Sequence, residues 1–386
     1  MDGIPGLKPL VVLGATGSIG SQTLEVAERL NLAVAALGAR HASPQLEALA
    51  QRWPDAKVAV AGASSDERTD VKNRLGDRAM FGPEALVELA SLPATTVMNA
   101  VVGVAGLPAS VAALQANNTL ALANKESLVA GGDVVLAALR SGDGELIAVD
   151  SEHSALAQCM VGEDPTSVRR VVLTASGGPF RGMSRQDMDS ATPSEAMRHP
   201  TWEMGPRITV DSATLINKAF EVIEAHHLFD IPYDAIDVVV HPQSIVHGLV
   251  EFVDGSLMAH LGQPDMRVPI QYAVTGGQRH PGTGMQFDLT AADLTFEAPD
   301  LEAFPALELG YEAGRAGGSA PTVLNAADEV AVAAFLDGRI GFGSIPLVIS
   351  GALEQIAHSV PKTIEDVLAI DEAARAVASD VIGTSC

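Results

Sequence analysis

Short apolar runs alternate with helical stretches through the first 150 residues, the rhythm of βαβ units that feed a mostly parallel sheet. Runs at residues 10–13, 34–37, 58–60, 97–101, 119–123 and 146–149 predict its strands. Between Asp150 and Gln271 the pattern changes, with strands at 171–174, 238–240 and 245–252 among fewer helices, which predicts an α+β unit. The segment TGGQRHPGTG, residues 275–284, has turn chemistry and no apolar period, so it predicts a linker. Beyond it, apolar residues recur at helical spacing over 322–336, and Thr363 offers an N-cap three residues before Asp366. The expected organisation is α/β: a parallel-sheet domain over 1–150, a catalytic α+β domain over 151–274, a linker over 275–300 and a helical bundle over 301–386.

Composition narrows the class. At 386 residues, with 47% apolar and 19% charged positions, the chain can bury large cores, and no run approaches the roughly 18 apolar residues of a membrane helix. MDGIPGLKPL lacks the basic and apolar regions of a secretory signal, and two cysteines, Cys159 and Cys386, make no disulfide framework; both point to the cytoplasm and exclude a cysteine-held zinc. A formal charge of −24 opposes nucleic acid and anionic lipid as partners.

The first chemistry lies in VVLGATGSIG. A buried strand runs into Gly14, Gly17 and Gly20, and a helix from about Ser18 carries Leu24, Ala27 and Leu30 at core spacing. Glycines let backbone approach phosphate, whose charge meets the N–H groups of the helix start. The spacing is GxxGxxG, which departs from the usual dinucleotide fingerprint, and a plain strand-to-helix turn is the competing explanation. After the second strand, Ala39, Arg40 and His41 stand where an NAD enzyme offers an acid to the ribose, so Arg40 favours the 2′-phosphate of NADP.

Carboxylates supply the second. Asp150 and Glu152 are expected on one face at the end of the strand over 146–149, where ligands of open α/β sheets gather. Two adjacent carboxylates repel unless a cation lies between them, and oxygen donors favour Mg²⁺ or Mn²⁺; solvated acids would explain the same letters. In DSATLINKAFEVIEAHHLF, Asp211 or Ser212 is expected to cap a helix whose stripe of Asn217, Lys218, Glu221 and Glu224 faces away from Leu215, Ile216, Ala219, Val222 and Ile223. Such a stripe is commonly the wet face of a helix, but Glu221 could complete a three-carboxylate set, and Ser212, Asn217 and Lys218 suit a phosphate. ALANKESL puts Asn124, Lys125 and Glu126 directly after the strand over 119–123, and TASGGPF supplies Ser176 with a glycine turn. Residues 181–206 lack a core period and carry His199, Trp202 and Gly205, the makings of a lid that excludes water.

Taken together, GATGSIG, LANKESLV, VDSEHSA, SGGPF, HPTWEMGPRITVDSATLINKAFEVIEA, HPQSIVH, LGQPDMRVPI and LNAADEVAVAAFL closely resemble the 1-deoxy-D-xylulose 5-phosphate reductoisomerase family, in order from Gly14 onward. The resemblance implies a Rossmann-like first domain and an NADPH-dependent conversion of 1-deoxy-D-xylulose 5-phosphate to 2-C-methyl-D-erythritol 4-phosphate, in isoprenoid precursor synthesis, by a cytoplasmic homodimer. It implies a divalent metal, Mn²⁺ or Mg²⁺ with Co²⁺ as a further candidate, held by Asp150, Glu152 and Glu221, with Ser151 and Lys125 at the reacting end of a small phosphosugar. Ser176, Ser212, Asn217 and Lys218 would hold its phosphate, His199 and Trp202 would belong to the closing loop, and Thr16, Gly17, Ser18, Ile19, Ala39, Arg40, His41, Asn124, Glu126 and Gly205 would face NADPH. Two segments depart from the family's pattern: Ala39, Arg40 and His41 stand where a glycine, often a lysine, and an asparagine are expected, and Gln263 replaces a glutamate. A semialdehyde dehydrogenase type of oxidoreductase, which would need a nucleophilic cysteine, and a nonenzymatic NADP-sensing regulator, which would not need the carboxylates, are the competing readings.

Overall fold

The computed structural model describes residues 4, 6–202, 204–282, 288–290 and 293–385. In the first of its two units, Leu10–Leu13 (β1), Val34–Ala39 (β2), Lys57–Val60 (β3), Ala79–Phe81 (β4), Thr96–Asn99 (β5), Thr119–Leu122 (β6) and Glu145–Ala148 (β7) form one sheet in the order β4-β3-β2-β1-β5-β6-β7. Every neighbouring pair is parallel. The strand order reverses direction between β1 and β5, the switch point where a Rossmann-like sheet binds its ligand at the carboxyl ends of its strands. The expected parallel α/β sheet is therefore present. β4 had no sequence signal because three residues, AMF, are too short to show a period.

Helix Ser18–Arg29 buries Leu24, Val26 and Ala27 in a core shared with Leu10, Val12 and Leu37. Ile270, Ala273 and Val274 of helix Arg267–Val274 join the same core. Arg29 bonds Gln271 and donates to the Pro281 carbonyl at 2.5 Å, and Gln271 reaches the His280 carbonyl at 2.9 Å. These contacts alter the expected boundaries: Asp265–Gly284 belongs to the first unit, so the second does not run to 274 and residues 275–282 are not a free linker. Positions 283–287 and 291–292 of the expected linker lie outside the described residues.

The second unit is built on Val168–Ala175 (β8), Ile236–Val240 (β9), Val246–Phe252 (β10) and Leu257–Leu261 (β11), in the order β11-β10-β8-β9. β8 pairs β9 in parallel, while β10 runs antiparallel to β8 and β11. One apolar core joins Val171 and Leu173 of this sheet, Ile216, Phe220 and Ile223 of helix Ile216–Phe229, and Val323, Leu324 and Ala374 of the C-terminal helices Ala320–Leu336 and Ile364–Ser385. The predicted helical end exists, with Thr363 Oγ1 accepting from Asp366 N at 3.2 Å as its cap. Its shared core is why the chain forms two compact units where the sequence suggested three. Among the described residues no helix is long and apolar enough to cross a membrane.

Candidate active site

The glycine turn is fixed by sterics. Gly14 has φ +83°, and a Cβ there would lie 2.4 Å from the Ala100 carbonyl oxygen; one on Gly20 would lie 2.1 Å from the Gly14 oxygen. Gly17 N closes the turn on Gly14 O at 2.9 Å. Gly17 then serves as N-cap of helix Ser18–Arg29 with no side-chain cap bond, and Gly17 and Ser18 are exposed with Thr16 and Ile19 partly so. The helix start therefore presents backbone donors and the positive end of its dipole to a phosphate. Ala39 ends β2, and the Arg40 and His41 that follow are exposed. The Arg40 carbonyl accepts from Gly62 N at 2.7 Å, which fixes the backbone at this position.

Asn124 and Glu126 are buried and brace the loop after β5. Asn124 Nδ2 donates to the carbonyls of Val101 and Gly103 at 2.6 and 3.0 Å and to Glu126 Oε2 at 2.9 Å, while Glu126 Oε1 accepts from Gly103 N at 2.9 Å. Lys125, between them, starts helix Glu126–Arg140, and its Nζ lies 2.7 Å from Asp150 Oδ2.

In the second unit the carboxylate helix departs from the predicted caps. Asp211 and Ser212 belong to a preceding helix, Pro206–Ala213, and helix Ile216–Phe229 starts from Leu215, whose φ is +62°. Glu152 also sits elsewhere than expected: β7 ends at Ala148, and Glu152 lies in the first turn of helix Ser151–Cys159. The chain makes that turn directly after Asp150. The stripe, for which a wet face was the competing reading, is buried at Lys218, Glu221 and Glu224, which are 4%, 1% and 3% exposed.

Lys218 offsets part of the carboxylate charge gathered around it. Lys218 Nζ lies 2.7 Å from Glu152 Oε1 and also bonds Glu221 Oε2. Ser151 Oγ donates to Glu152 Oε2 and Asn217 Nδ2 to Glu221 Oε1, each at 2.6 Å. Burial alone would depress the Lys218 ammonium, but the charges of Glu152 and Glu221 and their hydrogen bonds outweigh it and hold its pKa above the ordinary value. Glu152 and Glu221 present oxygens within 4.8 Å of each other. The pair already gathers one cation and offers only oxygen donors, so it fits a hard divalent ion.

A third cluster joins distant segments of the same unit. His199 Nδ1 accepts from Trp202 N and Thr201 N at 2.8 and 3.2 Å, so the ring proton lies on Nε2, which donates to Ser176 Oγ at 2.9 Å. Burial lowers the His199 pKa and keeps it neutral. Ser176 Oγ accepts from Gly178 N as well, at 3.2 Å, leaving its O–H for an anion. Gly177 and Gly178, at φ +84° and +65°, turn the chain so tightly that a Cβ on Gly178 would lie 2.8 Å from the Ser212 carbonyl oxygen. The turn that follows Ser176 thereby packs directly against the Ser212 backbone. Trp202 sits 6.3 Å, ring to ring, from His247, and Gly205 caps helix Pro206–Ala213.

His153 and His247 were not singled out as site residues, although VDSEHSA and HPQSIVH contain them. His153 Nε2 meets the Glu221 carbonyl at 2.9 Å and its Nδ1 lies 3.7 Å from Glu224 Oε2. Burial lowers the His247 pKa against the opposing charge of Glu152. Cys159 is buried on a helix and burial raises its thiol pKa, the reverse of an activated nucleophile. Cys386 lies outside the described residues.

A nucleotide-binding parallel sheet carried in one chain with an oxygen-donor carboxylate site is the equipment of an NADP-dependent oxidoreductase. Family models for 1-deoxy-D-xylulose 5-phosphate reductoisomerase match residues 10–132, its C-terminal domain 146–229, and the DXP reductoisomerase C-terminal domain 261–377. The reductoisomerase of Heliobacterium modesticaldum is 48% identical over 389 residues, covering 98% of both chains, and that of Halothermothrix orenii 46% identical over 383 residues, covering 97% of this chain and 99% of its own. Among solved structures, the Zymomonas mobilis reductoisomerase in complex with NADPH aligns with a TM-score of 0.91 at 42% identity, covering 98% of this chain and 100% of that one. A DOX-P reductoisomerase in complex with NADPH, fosmidomycin and magnesium aligns at 0.92 and 37% identity, covering 98% of each. The chain belongs to the 1-deoxy-D-xylulose 5-phosphate reductoisomerase family.

Proposed function

We propose that this chain rearranges 1-deoxy-D-xylulose 5-phosphate and reduces the product with NADPH to 2-C-methyl-D-erythritol 4-phosphate, a step of isoprenoid precursor synthesis, using Asp150, Glu152 and Glu221 to hold Mg²⁺ or Mn²⁺. The observation that carries this reading is the buried Lys218 ammonium held by both Glu152 and Glu221. A nonenzymatic NADP sensor would have no use for so costly a buried charge group.

When bound, a divalent cation supplies Lewis acidity toward the substrate's carbonyl and hydroxyl oxygens. The chain's own groups do the rest. The turn over residues 14–20 fixes the cofactor pyrophosphate and Arg40 its 2′-phosphate, so that the hydride is delivered from a set position. Lys125 donates to the oxygen that gains charge, a contact of a kind worth about 10²–10³ in rate. Ser151 orients Glu152. The Ser176 and Ser212 hydroxyls, with Asn217, take the substrate phosphate, and Lys218 joins them by turning from Glu152 and Glu221, an exchange of anions across one ammonium. Trp202 on its loop excludes water.

The same reading makes the protein a cytoplasmic homodimer that uses neither nucleic acid nor membrane. Support for the dimer comes from β11, an edge strand with Leu257, Met258 and Leu261 exposed at 55%, 42% and 37%. Its charge of −24 argues against polyanionic partners. The reaction is tested by following NADPH oxidation with 1-deoxy-D-xylulose 5-phosphate: a chelator should abolish it, and Mg²⁺ or Mn²⁺ restore it. Full turnover in metal-free buffer would rule out the carboxylate role.

A further inference from the structure

Helix Pro206–Ala213 stands between two parts of the substrate site: residues 198–205, with His199 and Trp202, precede it, and Thr214 and Leu215 lead from it into the helix of Asn217, Lys218 and Glu221. Eight residues with one apolar face could not hold both neighbours in register unaided. What fixes this helix is Arg207. Its Nη1 meets Glu329 Oε1 at 2.9 Å, its Nη2 meets Asn325 Oδ1 at 2.9 Å and Asp328 Oδ2 at 3.3 Å, and its Nε lies 3.5 Å from Asp211 Oδ2. Asn325, Asp328 and Glu329 all belong to helix Ala320–Leu336.

The lattice of charges continues. Glu329 Oε2 accepts from Arg375 Nη2 at 2.6 Å, and Arg375 Nε also reaches Asp371 at 2.6 Å, both on the last helix. Asp328 is fully buried and the Asp211 side chain is 5% exposed. A planar fork that spans three acceptors in one geometry constrains rotation of its helix in a way apolar packing does not. These four partners of Arg207 all lie outside the groups placed at the substrate, so what they contribute to chemistry passes through backbone position.

We propose that Arg207 is a positioning residue for the phosphosugar site, tying the His199–Trp202 loop and the Lys218 helix to the C-terminal helices. The claim rests on the reaction proposed above for its kinetic readout, and on Trp202 for an independent one. The chain has two tryptophans, so a Trp53→Phe background excited at the red edge of indole absorption leaves Trp202 as the sole tryptophan emitter. In that background Arg207→Lys keeps the charge but loses the fork, and Arg207→Gln with Asp328→Asn removes one charge of each sign while Glu329 keeps its pairing with Arg375.

Both variants should raise the KM for the phosphosugar and lower kcat/KM by about 10- to 10²-fold, the scale of a displacement of an ångström or less, while the KM for NADPH stays as it was. Trp202 emission anisotropy should fall, and Arg207→Lys should retain more of both properties than the neutral pair. Unchanged phosphosugar KM and unchanged anisotropy, even with a lowered melting temperature, would overturn the proposal and leave Arg207 a purely structural residue. A parent enzyme that fails to turn over the phosphosugar would sink the proposed function instead, and the anisotropy would still decide the role of Arg207.

Discussion

Replacing Lys218 with methionine tests the ionic arrangement most severely. The substitution keeps the length of the side chain and removes its charge, leaving Glu152 and Glu221 facing each other with side chains 17% and 1% exposed. An ion pair broken on one side in so buried a place costs about 3–5 kcal/mol, because the remaining charge is neither solvated nor paired. For a unit of the size that holds it, that corresponds to a fall of about 6–20 °C in melting temperature. Thermal unfolding should be followed by circular dichroism at neutral pH without added divalent ion, since one would take over the carboxylates. Lys218→Met with Glu221→Gln should recover much of the loss, since only one of the two buried carboxylates then remains charged. A single variant that melts with the native protein, or a double variant worse than the single, would show that Lys218 does not hold these carboxylates together.

Other consequences follow from single contacts. The His227 ring packs where a Cβ on Gly132 would lie 2.3 Å from its Nε2, and burial, with His226 adding to it, lowers its pKa to about 4. Its neutral form is favoured by folding, so stability is complete above the ordinary value near 6.5 and about 3 kcal/mol is lost as pH falls to about 4; urea titrations should show this slope flattened in His227→Gln. Gly20→Ala puts a methyl 2.1 Å from the Gly14 carbonyl oxygen, and calorimetric titration should show NADPH affinity collapsing while the second unit's unfolding is unaffected. Arg40→Ala should weaken NADPH by about 10- to 10²-fold and leave NADH nearly unchanged, as expected for one charge-assisted contact to the 2′-phosphate; equal use of both cofactors by the native enzyme would contradict it.

The elements that could be read from sequence are those whose cause is local. The apolar run Leu10–Leu13 followed by Gly14 needs no distant partner to be recognised, and the same holds for the long helix Ala320–Leu336. What escaped depends on residues far away in the chain. Lys218 and Glu152 are 66 positions apart, and only their meeting turns the polar stripe of Glu221 and Glu224 into a buried surface. The break at Leu215 carries neither glycine nor proline, so nothing nearby announced that Asp211 and Ser212 end one helix instead of capping the next. Gly14 shows the opposite case: a spacing that looked irregular as a motif is explained by two backbone approaches that exclude any side chain. β11 was missed because its apolar residues face outward along an edge and do not alternate.

The proposed reaction requires the carboxylates of the second unit to couple NADPH oxidation to rearrangement of the phosphosugar. It is tested most directly by supplying 1-deoxy-D-xylulose 5-phosphate, NADPH and Mg²⁺ to the native enzyme and to Glu221→Gln, and quantifying products by NMR. The native enzyme should form one 2-C-methyl-D-erythritol 4-phosphate for each NADPH consumed, while Glu221→Gln, folded by circular dichroism, should form none above background. Rearranged product from Glu221→Gln at the native rate, or NADPH consumed by the native enzyme without that product, would contradict such a coupling.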